Sequence, residues 1–98
     1  MQRGEIWRVM VLGRSERTVV IVGHDRVTAS RPDVLCVQVD TSGTFAADLV
    51  TVPIVSIGAA RAYTVGPLAK NAFVERLGTV DTATIGQLDI ALRATLDL

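Results

Sequence analysis

The chain has 98 residues, 49% of them hydrophobic and 20% charged, with formal net charge zero. That length makes one domain, expected over residues 1–98, and that balance buries a core and excludes a disordered tail. No run approaches the roughly 18 apolar residues of a membrane helix.

Charge is spread unevenly. Residues 1–31 hold six arginines against Glu5, Glu16 and Asp25, and residues 32–98 hold Arg61, Lys70, Arg76 and Arg93 against seven acids. Such asymmetry marks a polyanion-facing side, or strand order folds both halves into one mixed surface. Nine of the ten basic residues are arginine, which suits bidentate phosphate recognition; a GC-rich coding sequence gives the same bias. Arg3, Glu5 and Arg8 interrupt any leader-like apolar core, and a single cysteine, Cys36, fits a reducing cytoplasm, where this chain is expected.

In chain order, residues 5–12 are strand-like and Gly13-Arg14-Ser15-Glu16 is a short turn. Arg17 leads into Thr18-Val19-Val20-Ile21-Val22-Gly23, a β-branched central strand, and the tight spacing predicts a hairpin between the two. Residues 24–32 are polar, end in Pro32 and read as a loop. Residues 34–39 (VLCVQV) are a third strand with Cys36 as a buried thiol, and residues 40–44 a turn. Residues 49–55 form a fourth strand that Pro53 assigns to an edge. Ala62-Tyr63-Thr64-Val65 is a possible fifth, closed by Gly66-Pro67, and residues 68–78 fit either a helical turn or a last strand. Asp81 or Thr82 caps a helix through about Thr95 whose apolar face is Ile85, Leu88, Leu92 and Leu96. The expected fold is mainly β (α+β): a small SH3-like antiparallel barrel with a C-terminal α-helix.

Much chemistry is absent. There is no GxxxxGK[ST] or GxGxxG phosphate loop and no nucleophile elbow around any serine. One histidine and one cysteine leave no paired metal-ligand spacing, so no metal and no cofactor is expected. Cys36 with His24 is a formal pair, but a mid-strand thiol is badly placed for a nucleophile. Four aromatics, Trp7, Phe45, Tyr63 and Phe73, are too few for a stacking platform. Trp7 reads as core or dimer-interface packing. Arginines, hydroxyls and carboxylates near strand ends remain. Such a set can cleave RNA by 2′-OH attack on the adjacent phosphate, if one group moves a proton and another stabilises the phosphorane.

Three blocks carry a resemblance. Arg3-Gly4-Glu5-Ile6-Trp7 resembles the opening of the MazF/PemK (Kid) toxins. The stretch from Glu16 to Asp25 is similar to their next strand and turn, and Arg76-Leu77-Gly78-Thr79-Val80-Asp81 through Leu98 to their C-terminal strand and helix. The resemblance implies a homodimeric small barrel that cleaves single-stranded RNA at short sequences without metal. The products are a cyclic phosphate and a 5′-hydroxyl, and a cognate antitoxin blocks the RNA groove.

Under that resemblance Arg17 is the phosphate-stabilising arginine, followed by Thr18 where the family has proline. The first loop is shortened, and its acid survives as Glu16 beside the arginine. The family's catalytic threonine, at the end of the third strand, falls on Asp40; Thr41 and Ser42 follow, so a one-residue bulge would restore the hydroxyl. An arginine–aspartate pair of the PemK branch falls on Tyr63 and Gly66, with Arg61 near enough to substitute. The catalytic set is therefore Arg17, Thr41 and Asp40, and the RNA-binding set is Arg14, Glu16, His24 and Arg61. Each has a plainer reading: Arg17 as an ion pair with Glu16 or Asp40, Asp40 and Thr41 as turn formers, His24 as a turn residue.

A second reading keeps the barrel, the dimer and the antitoxin but loses catalysis; an Arg17–Asp40 salt bridge would favour it. A third, a gyrase inhibitor of the CcdB type, implies a Trp-Gly pair in the tail, where this chain has Ala94-Thr95-Leu96-Asp97-Leu98.

Overall fold

A computed structural model describes residues 1–11, 15–43 and 48–97. Strand β1 (Glu5–Val11) turns back into β2 (Ser15–Ile21), and Ile6 faces Val20 while Val11 faces Ser15, so the expected hairpin forms. Helix α1 (Asp25–Ser30) precedes β3 (Asp33–Asp40), β4 (Thr51–Ile54) and β5 (Gly58–Ala69). A 3₁₀ turn, Lys70–Ala72, leads to β6 (Phe73–Thr79), and α2 (Thr82–Leu96) ends the chain. All strand pairs are antiparallel, in the order β4-β5-β3-β2-β1-β6. Among the described residues the two edge strands do not pair, so the sheet stays open where a closed barrel was expected. Pro53 lies on edge strand β4, where its missing N–H spoils no central ladder.

One face of the sheet carries Ile6, Val20, Val37, Val39, Val52, Ile54 and Ala60, covered by Leu88 and Ala91 of α2. Asp81 caps α2, its carboxylate accepting from the Thr84 N–H at 2.7 Å. Of the apolar helix face, Leu88 is buried and Ile85 and Leu92 pack at the core margin. Leu96 is 56% exposed, and the small Ala91 is buried in the core instead. The second face buries Val9, Val19 and Cys36, with Trp7, Val11, Leu68 and Phe73 half-covering them. Trp7 meets Phe73 edge-on at 5.7 Å, and its indole N–H donates to the Glu5 carboxylate at 2.9 Å.

Two segments depart from expectation. Residues 25–30 are a short helix and not a loop: His24 Nδ1 accepts from the Arg26 N–H at 3.2 Å, and Asp25 sits in the favourable first turn. Arg31, forced extended before Pro32, ends it. Strand β5 runs through Gly66-Pro67 and does not stop there. Beyond Arg61, β3 alone flanks it, a setting in which a strand tolerates proline. The β3–β5 register jumps from Cys36–Gly66 to Gln38–Arg61, so residues 62–65 bulge opposite Val37. Thr64 stitches the bulge: its hydroxyl accepts from the Gln38 N–H at 2.8 Å and donates to the Arg61 carbonyl at 2.6 Å.

Candidate active site

The ladder between β2 and β3 stops at Thr18–Val39, although β2 begins at Ser15 and β3 continues to Asp40. Arg17 and Asp40 would be the next pair, and the strands fork there. A cleft of about 540 Å³ opens in the fork, lined by Arg8, Glu16, Arg17, Thr18, Gln38, Asp40, Thr41 and Arg61 among others. Because the strands are unpaired at this point, side chains from both faces of the sheet reach it.

Each charged group has a distinct partner. Arg8, on β1, forms ion pairs with Glu16 and, at 3.3 Å, with Glu75 of β6. The hydrogen bonds from Glu16 and then Glu75 push its pKa further up. Asp40 accepts from the Ser42 N–H at 2.9 Å, an Asx turn that carries Thr41 at its centre. The Ser42 hydroxyl and backbone N–H hold the Asp40 carboxyl below its usual range, with Arg61 adding a smaller pull. Asp40 is therefore ionised at neutral pH. Arg61 lies over the Tyr63 ring, 4.8 Å from its centroid, held there by the β5 bulge.

Arg17 donates from Nη1 to the Gln38 side-chain oxygen at 3.3 Å, and among the described residues it forms no ion pair. Neither acid expected to seal it does so. Glu16 is drawn to Arg8 and Asp40 to Ser42.

The fork thus brings together Arg17, Asp40, Thr41, Glu16 and Arg61. His24 is not among them: its ring is occupied in capping α1, and it borders a separate cavity of about 360 Å³ beside Val27, Leu35 and Pro67. Arg14 lies outside the described residues. Arg8 and Gln38 were missed, because they reach the cleft only through cross-strand register: Arg8 opposite Thr18, Gln38 opposite both Val19 and Arg61. Cys36 is buried, and burial pushes its thiol up to about 11, which excludes a thiolate nucleophile at neutral pH. Among the described residues no group of three metal-ligating side chains gathers.

A cleft with a guanidinium held only by a neutral amide among the described residues, an ionised carboxylate and a hydroxyl at one strand fork can bind a phosphodiester and move a proton beside it. No protein-family model matches the sequence, and neither does any curated protein sequence. Solved structures do match. An endoribonuclease in complex with its cognate antitoxin, from a mycobacterial species, aligns over 100% of this chain and 96% of its own, with TM-score 0.91 and 25% identity. A chain of the MazE–MazF complex of Deinococcus radiodurans aligns over 100% and 96%, with TM-score 0.85 and 12% identity. The Mycobacterium tuberculosis toxin MazF-mt6 aligns over 96% and 97%, with TM-score 0.80 and 15% identity. The last two identities speak for the fold alone. Over its whole described length, this chain has the fold of the MazF toxins.

Proposed function

We propose that this protein is an endoribonuclease that cleaves single-stranded RNA, acting as the toxin of a toxin–antitoxin pair. The observation that carries the reading is Arg17: a guanidinium in the forked cleft with no carboxylate partner among the described residues, on a full-length endoribonuclease fold. The scissile phosphate sits against Arg17, which stabilises the charge that builds on its oxygens as the 2′-OH attacks. Asp40, ionised and fixed by Ser42, takes the 2′-OH proton, and Thr41 beside it donates a hydrogen bond to the phosphate. Water protonates the departing 5′-oxygen and Asp40 gives its proton back to solvent, so that a 5′-hydroxyl and a 2′,3′-cyclic phosphate are left. No step calls on a metal. Arg61 binds a flanking phosphate.

The absence of an Arg17–Asp40 salt bridge weighs against the catalytically silent binding module. The solved complex of the mycobacterial endoribonuclease with its antitoxin supports an antitoxin partner here. The half-covered apolar surface around Trp7, Leu68 and Phe73 supports a homodimer, and an RNA substrate with a free thiol supports a cytoplasmic setting.

End-group analysis tests the reading. Products from a long single-stranded RNA are expected to accept 5′-phosphate from a kinase directly and to resist 3′ ligation until the cyclic phosphate is opened and the resulting phosphate removed. Products with 5′-phosphates, or no products, would contradict it.

A further inference from the structure

Among the described residues the cleft holds three arginines with three kinds of neighbour. Arg8 is met by two carboxylates, Arg61 by an aromatic face and Arg17 by a neutral amide. We infer that Gln38 is the positioning residue of Arg17: its amide oxygen aims the guanidinium without neutralising it, so the full charge stays available to phosphate. This rests on the endoribonuclease reading for the identity of the phosphodiester, but the charge argument stands on the geometry alone.

Only the Gln38 oxygen can face Arg17, because guanidinium has donors and no acceptor. The backbone that carries the amide is itself anchored. The Gln38 backbone N–H is held by Thr64 in the β5 bulge, and Gln38 is paired to Val19 on one side and Arg61 on the other. A bulge stitched by Thr64 therefore fixes the residue that aims Arg17. A glutamate at this position would have the same shape and would pair with Arg17 as Glu16 pairs with Arg8. That pairing would cancel one of the charges that draw in phosphate.

The test compares Gln38→Glu, Gln38→Met and Arg17→Ala with the parent full-length protein. Binding to a 2′-O-methyl RNA, which cannot be cleaved, is measured against salt concentration, and cleavage of the matching RNA gives kcat and KM. Circular dichroism verifies folding. Gln38→Glu is expected to flatten the slope of log K against log salt by about 0.7, the value of one single-strand phosphate contact, and to match Arg17→Ala. Gln38→Met, which removes the acceptor but not the charge, is expected to keep the parent slope and lose about tenfold in kcat with little change in KM. A merely structural role would not move the slope in one variant and kcat in the other.

A parent slope in folded Gln38→Glu overturns the inference, as does parent kcat in Gln38→Met, which alone decides should Gln38→Glu not fold. A protein that binds the analogue with the expected slope change, yet cleaves no RNA, supports the role of Gln38 and refutes the endoribonuclease reading. A protein that binds no RNA overturns both.

Discussion

Arg8 reaches across the β1–β2 hairpin and takes the carboxylate of Glu16, the residue next to Arg17 in the chain. Sequence adjacency made Glu16 the natural partner of Arg17. The hairpin register supplies a competing cation, and Glu75 from β6 fixes that cation from its other side. Replacing Arg8 by glutamine releases Glu16 to pair with Arg17. Arg8→Gln is expected to lower kcat/KM about tenfold, with little change in thermal stability, because both its ion pairs are exposed. Arg8→Gln combined with Glu16→Gln should recover most of the loss. Equal activity of the single and double variants would show that Glu16 does not reach Arg17.

Asp40 and Thr41 share the turn at the end of β3 but have different tasks. Asp40→Asn keeps the turn and removes the proton acceptor, so kcat should fall about 100-fold with KM nearly constant. Thr41→Val should cost less, as it removes one hydrogen bond. The hydrogen bonds from Ser42 hold Asp40 below its ordinary value of 3.8, so it stays charged through mildly acidic pH. The cleavage rate should therefore show no Asp40 titration between pH 5 and 8 in a pH–rate profile.

The same shift has a sign in stability. Asp40 and Asp81 both ionise more readily folded than unfolded, the first through Ser42 and the second through the Thr84 hydrogen bonds. Their stabilising contributions are complete above the unfolded value of 3.8 and disappear as pH falls through the lower folded values. Thermal melts from pH 7 to 3 should fall most steeply below pH 4. Asp81→Asn, which keeps a capping oxygen, should flatten that fall.

Gly58 packs its backbone against the end of β3. A Cβ there would stand 2.0 Å from the Asp40 carbonyl oxygen, and φ is +155°. Gly58→Ala must therefore push Asp40 and Thr41 out of place. An unfolding penalty of about 2–3 kcal/mol is expected in urea melts, along with lost cleavage at temperatures where the variant remains folded. Parent activity in a folded variant would separate the β3 end from the chemistry.

Cys36 is buried beneath the second face, its thiol raised to about 11. Folded protein at pH 8 should resist alkylation by iodoacetamide, and unfolding in guanidinium should release that resistance. Cys36→Ala should keep full cleavage activity.

The strands and helix that carry strong local patterns were legible in the sequence: the Glu5–Ile21 hairpin, the apolar β3, edge residue Pro53, and α2 with its Asp81 cap. Helix α1 was not, because six residues hold no periodicity and a histidine provides its cap. Gly66-Pro67 suggested a stop, yet Thr64 and the open flank of β5 let the strand pass. In the site, the resemblance named Arg17, Asp40 and Thr41, and the strand fork brings the three to one cleft. Arg8 and Gln38 were not, because their roles depend on which residue lies opposite on another strand. His24 looked available as a polar turn residue, but its lone pair serves the Arg26 N–H.

The most direct test of the whole account is cleavage of a long, mixed-sequence single-stranded RNA in EDTA by the purified protein and by Arg17→Ala. Discrete fragments from the parent that disappear with the folded variant are the predicted result. Intact RNA with the folded parent protein, or the same fragments from Arg17→Ala, would contradict it.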